Sequence, residues 1–94
     1  MIIMWLDDAV QDLRSLHQYI TSENPSAANR VSKRILNAVN LLIEQPSMGR
    51  KGRVHNTREL IVSGTPFIIP YRVKNKNIEI LRVFHSAMQW PEEI

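Results

Sequence analysis

Apolar residues recur at Ala9, Leu13, Leu16 and Ile20, in steps of four, three and four, which lays one stripe along a helix. Asp7 or Asp8 is expected to cap that helix, because a carboxylate there accepts a free backbone N–H and complements the helix dipole. The pattern ends near Glu23, and Asn24-Pro25 opens a second helix. Asn supplies an N-cap oxygen, and Pro suits the first helical position, where its missing N–H costs nothing. Ala28, Val31, Ile35, Ala38 and Leu42 form the second stripe, widened by Leu36 and Val39. Gln45-Pro46 stops it, since proline has no N–H to donate and disfavours helix at the residue before it. So short a link makes the two helices an antiparallel hairpin.

Elsewhere the period is two. Ile2 to Leu6 is a short apolar run with strand formers. Pro46 to Arg53 holds two glycines and three cations and is expected to be a loop. Arg58, Leu60 and Val62 then alternate with Thr57, Glu59 and Ile61, and Ser63-Gly64-Thr65-Pro66 marks a turn. Phe67, Ile69, Tyr71 and Val73 share one face of the next strand. Lys74-Asn75-Lys76-Asn77 closes a second hairpin onto a last strand, Ile78 to His85. Pro70, in mid-strand, demands an edge, a bulge or an unpaired position. The expected architecture is α+β, a single domain over residues 1–94: an N-terminal short strand, and an antiparallel helix hairpin packed on a three- to four-stranded antiparallel sheet. In an unbroken last strand Ile78, Ile80 and Phe84 face one way, Leu81 and Val83 the other. Two helices cover only one face of a sheet, so one face, or a groove beside it, is expected to be covered by another polypeptide.

Composition narrows the field. Apolar residues are 44% and charged residues 22% of the chain, and no cysteine occurs, which excludes disulfides, thiol catalysis and Cys-based zinc sites. No apolar run is long enough to cross a bilayer, and Ile2–Leu6 runs straight into Asp7-Asp8 unlike a signal peptide, so a cytoplasmic protein without membrane contact is expected. The net charge of +3 is uneven: residues 1–45 carry four bases and five acids, residues 46–94 eight bases and four acids. The eight are Arg50, Lys51, Arg53, Arg58, Arg72, Lys74, Lys76 and Arg82. They suit a polyanionic partner or a solvated surface equally well.

The Gly-rich phosphate loop, the metal-binding spacings and the serine elbow are all absent, so neither cofactor nor metal is expected. What remains is a cationic sheet with a histidine at its end. Metal-independent RNA cleavage needs a base for the 2′-hydroxyl, cations for the developing phosphorane charge and an acid for the leaving oxygen. Arg58, Arg82 and His85 are the candidate catalytic set for such chemistry, with Glu59 or Glu79 as a complementary base. Arg82 and His85 have opposite parity and face apart unless the strand ends or bulges between them. The structural alternative has Arg58 paired with a carboxylate and His85 capping a strand end. His17 and His55 are assigned to packing or surface, and Trp5 and Trp90 to anchoring the chain ends.

An ordered set of short motifs resembles one family. Asp12-Leu13, Tyr19-Ile20, Asn24-Pro25 with Ala27-Ala28, Pro46 with Gly49-Arg50, Thr57-Arg58-Glu59-Leu60, Pro70-Tyr71-Arg72-Val73 and Ile80-Leu81-Arg82-Val83-Phe84-His85 are similar to the RelE/ParE superfamily of type II toxin–antitoxin toxins, from Trp5 to Pro91. The resemblance implies a helix hairpin on an antiparallel sheet, wrapped by an extended antitoxin in a hetero-oligomer. It also implies one of two targets. RelE-like members cut messenger RNA on the ribosome; ParE-like members inhibit DNA gyrase. In RelE-like nucleases a tyrosine or further arginine commonly follows the last strand, whereas here Ser86-Ala87-Met88-Gln89-Trp90-Pro91 follows. The likeness is therefore closer to ParE, with no catalytic residue. The alternative is a RelE-like ribosome-dependent endoribonuclease using Arg58, Arg82 and His85, and a third is a degenerate toxin kept as a partner-binding module.

Overall fold

A computed structural model describes residues 1–94. The elements run β1 (Ile3–Trp5), α1 (Asp7–Glu23), α2 (Pro25–Asn40) with a 3₁₀ turn (Leu41–Ile43), β2 (Arg50–Lys51), β3 (Arg58–Ile61), β4 (Phe67–Lys74), β5 (Asn77–Ile80) and β6 (Phe84–His85). The hairpin of α1 and α2 lies on one face of a sheet ordered β1-β5-β4-β3-β2, and β6 continues past β5 along β4. Ala9, Ile35, Val39 and Leu42 from the helical side meet Leu60, Val62, Ile69, Tyr71, Ile78, Ile80 and Val83 from the sheet. The α+β expectation holds, although the sheet has six strands rather than three to four. Part of the expected 46–53 loop is the short strand β2. The edge strand β1 is parallel to β5, Ile3 opposite Ile78; between them the chain runs through the helix hairpin and then β2, β3 and β4.

The second helix starts as its sequence requires: the Asn24 side chain accepts the Ala27 N–H at 3.1 Å, with Pro25 following. The first does not. Its N-cap is Leu6, whose own N–H is bound to the Ile80 carbonyl at 3.0 Å. Strand pairing of Leu6 sets the helix start, and Asp7 and Asp8 sit inside the first turn, where they complement the dipole without capping. The β4–β5 turn places Asn75 and Lys76 at φ 53° and 62°, as a two-residue type I′ hairpin needs.

Pro70 accounts for the break in the expected last strand. Its carbonyl accepts the Leu81 N–H at 3.0 Å, so its nitrogen, on the same edge of β4, also faces β5–β6 with no hydrogen to give. The pairing changes register there. Tyr71 opposes Ile80, but Ile68 opposes Phe84, so Ile69 and Pro70 face three residues, Leu81 to Val83. One extra residue makes a bulge and reverses the parity beyond it. Val83 therefore joins the helix-side core, and Phe84 moves to the opposite face with Ile68, reversing the unbroken-strand assignment.

Around the last strand, the second sheet face is covered by the chain itself rather than by another polypeptide. Ile68, Leu81 and Phe84 are buried by the chain itself. Trp90 of the C-terminal segment lies against Phe84 with ring centroids 4.9 Å apart, and the Arg53 guanidinium lies 3.7 Å above the Trp90 ring. The tail is long enough to fold back, and one indole covers what the helices cannot reach. Apolar exposure remains on that face at Met4 and at Ile61, which opposes Ile68, and is found beside α2 at Leu41 and Met48. No helix is long and apolar enough to cross a membrane.

Candidate functional site

The loop from Pro46 to Gly49 is tied down by one phenol. Tyr71, buried on the central strand, donates its hydroxyl hydrogen to the Pro46 carbonyl at 2.6 Å and accepts the Gly49 N–H at 2.9 Å. Burial raises the Tyr71 pKa above its ordinary value of 10.0, against the opposing pull of the Gly49 N–H and the Arg58 charge. The phenol thus stays a donor at neutral pH. Only glycine fits at position 49: a Cβ would lie 2.6 Å from Tyr71 Cε1 and 3.0 Å from the Glu59 carbonyl oxygen. Arg58, on β3, donates to the Gly49 carbonyl at 2.8 Å and so clamps the same loop.

Glu59 organises the next stretch. Its carboxylate is buried and accepts from Arg50 Nη2 at 2.9 Å, from Arg53 Nε at 3.0 Å and from the Arg53 backbone N–H at 2.9 Å. Burial alone would raise its pKa. The hydrogen bonds from Arg53 and Arg50 outweigh that penalty and hold the carboxyl below 4.5. Glu59 is therefore a structural anion, unavailable as a base, and the other carboxylate proposed for that role, Glu79, is bound to Arg72 at 2.6 Å.

The alternative nuclease set is not assembled: Arg82 is held by an acid, and Arg58 lies away from His85. Arg82 donates to both oxygens of Asp12 on α1, at 2.8 and 3.0 Å, and the bulge N–H of Val83 donates to the same carboxylate at 2.9 Å. The Asp12 hydrogen bond and the charges of Asp12 and Asp8 raise the Arg82 pKa, overcoming its partial burial. His85 Nδ1 accepts the Ala87 N–H at 3.0 Å, and its ring sits edge-on to Phe67 at 5.6 Å, so it closes the strand end as the structural alternative held. Arg58 is held by carbonyl oxygens rather than by the carboxylate of that alternative. Arg58 pairs opposite Tyr71 and His85 opposite Phe67, on opposite sides of β4. Four strand residues put them about 13 Å apart along β4.

Sequence reasoning missed Asp12 as the partner of Arg82. The two stand 70 residues apart in the chain, and no local pattern links them. Glu59 as a hub was also missed, although three arginines flank it within nine residues of sequence. His17 bridges toward Asn29 Oδ1 at 3.2 Å, and His55 is exposed in the loop before β3. Trp5 packs against the core. Clusters of metal-ligating side chains are absent.

Residues 3–90 match the family described as the ParE toxin of the type II toxin–antitoxin system parDE. The chain belongs to the ParE toxin family. Its relatives agree. It is 44% identical over 90 residues to Y4kP of Sinorhizobium fredii, covering 96% of this chain and 93% of that protein. It is 34% identical over 85 residues to Toxin RelE2 of Caulobacter vibrioides, covering 90% and 94%. A solved structure of a chromosomal ParDE toxin–antitoxin system from P. aeruginosa superposes with a TM-score of 0.83 at 30% identity, over 90% of this chain and 95% of the other. The RelE/ParE resemblance and its fold are thereby established for this toxin.

Proposed function

We propose that this ParE-family toxin inhibits DNA gyrase by binding, without catalytic turnover, and that a cognate antitoxin neutralises it in the cytoplasm. The observation that carries the choice of target is that Arg58 lies away from His85 while Arg82 is held by a carboxylate. An RNA-cleaving centre needs a base, an acid and a phosphorane clamp within a few ångströms of one phosphate. Arg82 is committed to Asp12, Glu59 and Glu79 are committed to arginines, and His85 is far from Arg58. The antitoxin reading is supported by the ParDE likeness and by the exposed Leu41, Met48 and Ile61 along the α2–β3 groove. An extended antitoxin segment laid there would cover them and form the toxin–antitoxin hetero-oligomer.

The likeness to Toxin RelE2 supports a second reading, a ribosome-dependent endoribonuclease. The deciding experiment expresses the chain without antitoxin and follows supercoiling by purified gyrase alongside messenger RNA integrity. Loss of supercoiling with intact transcripts is the expected result. Ribosome-dependent cuts abolished by His85→Ala or Arg82→Ala would replace it with the nuclease reading, and neither effect, with normal growth, would mark a degenerate toxin. Co-expression with the neighbouring open reading frame should yield a stable complex; its failure would remove the antitoxin.

A further inference from the structure

Ion pairing sorts the basic residues of the C-terminal half into two groups. Arg50, Arg53, Arg72 and Arg82 each have a carboxylate within 4.0 Å, whereas Lys51, Arg58, Lys74 and Lys76 have none. The unpaired four are not scattered. Lys51 on β2 opposes Arg58 on β3, which opposes Tyr71 on β4, and Lys74 and Lys76 stand at the β4–β5 turn beyond it. All four therefore gather at one end of the sheet. Beside Lys51 and Arg58 lies a recess of about 580 Å³, lined also by His55, Asn56 and Arg72. The two nearest sheet carboxylates are spent, Glu79 on Arg72 and Glu59 on Arg50 and Arg53. The field at this end is thus positive and uncompensated.

We infer that this end of the sheet binds the phosphodiester backbone of a nucleic acid, as a site separate from the groove assigned to the antitoxin and independent of whether gyrase is the target. The dimensions agree. The backbones of Lys51 and Lys74 are two strand spacings and three strand residues apart, about 14 Å on the diagonal, and their side chains leave opposite faces, so a bound strand crosses the end of the sheet between them. Nucleic acid carries one phosphate per ~3.4 Å of axis per strand, so that span meets about four phosphates with four cations. Arg58 holds its guanidinium at the recess wall through the Gly49 carbonyl, which fixes its position without neutralising it. His55 carries the one ring lining the recess, so stacking on successive bases is not expected there. Affinity should be electrostatic and indifferent to sequence.

The test is fluorescence anisotropy of the full 94-residue chain with labelled duplex DNA, single-stranded DNA and single-stranded RNA, over a salt series. Four contacts predict a slope of log K against log salt of about −3.6 for the duplex and about −2.8 for single strands, or about 150-fold weaker duplex binding from 50 to 200 mM salt. Lys51→Ala with Lys74→Ala should roughly halve the slope, Lys51→Arg with Lys74→Arg should keep it, and Lys33→Ala on α2 should leave it unchanged. The polymer bound most tightly at a fixed salt concentration identifies the source of the phosphates. No binding at 50 mM salt, or a slope that the double alanine variant leaves intact, overturns the inference. Retained gyrase inhibition in a variant that has lost nucleic-acid binding would separate the two activities.

Discussion

Replacing Asp12 with alanine should show how strongly one carboxylate joins α1 to the broken strand. It removes three hydrogen bonds together: two from Arg82 and one from the Val83 N–H. The Val83 N–H lies in the bulge opposite Pro70 and has no other partner. A buried donor left unpaired costs about 1–3 kcal/mol, and a bond to a charged group contributes about 1.5–3 kcal/mol. The pair is not sealed from solvent: Arg82 is 29% and Asp12 19% exposed, so water recovers part of the loss. Asp12→Ala should therefore cost about 2–3 kcal/mol, which for a chain of this size lowers Tm by about 8–20 °C. Asp12→Asn keeps an acceptor for Val83 and should cost only about 1 kcal/mol. Urea unfolding of both variants, with Arg82→Ala and the double mutant closing the cycle, should return a coupling of about 1 kcal/mol. An Asp12→Ala cost below about 0.5 kcal/mol, or equal costs for alanine and asparagine, would refute the role assigned to the bulge.

Three further outcomes follow from the loop and its anchors. Gly49→Ala drives a Cβ into Tyr71 and should destabilise by about 1–3 kcal/mol, and Tyr71→Phe, which strands the Gly49 N–H, by about 1–3 kcal/mol; calorimetry of both checks this, and a neutral Tyr71→Phe would contradict the latch. Because Glu59 is held below 4.5 in the folded state, its contribution is present above that pH and is lost as pH falls through the lowered value. Wild type should lose stability from about pH 5 downward, and Glu59→Gln should flatten that part of the curve in acid unfolding; an unchanged slope would count against it. His85→Ala should leave growth inhibition intact, scored by plating after induction, because its ring nitrogen serves only the Ala87 N–H; loss of toxicity in a folded variant would restore it to the site.

The helices were legible along the chain because their information is local. Asn24-Pro25 sets a boundary through contacts within four residues, and the Ala9 and Ala28 stripes have a period the backbone itself imposes. The lysine turn was legible for the same reason, as were strands β3 and β4. Pro70 announced an interruption, but the residue that shows it is missing from the proline itself: the break appears across the ladder, at Leu81–Val83. Which face Phe84 takes, which acid holds Arg82 and whether the tail covers the sheet depend on pairs far apart in sequence. Their closure follows from burial and register, which no window of neighbouring residues encodes. The ordered motifs of the chain determined its family and its layers. Only the folded sheet decided that Arg58 stands away from His85, that Arg82 is tied to Asp12, and that four cations without carboxylate partners stand together at its end.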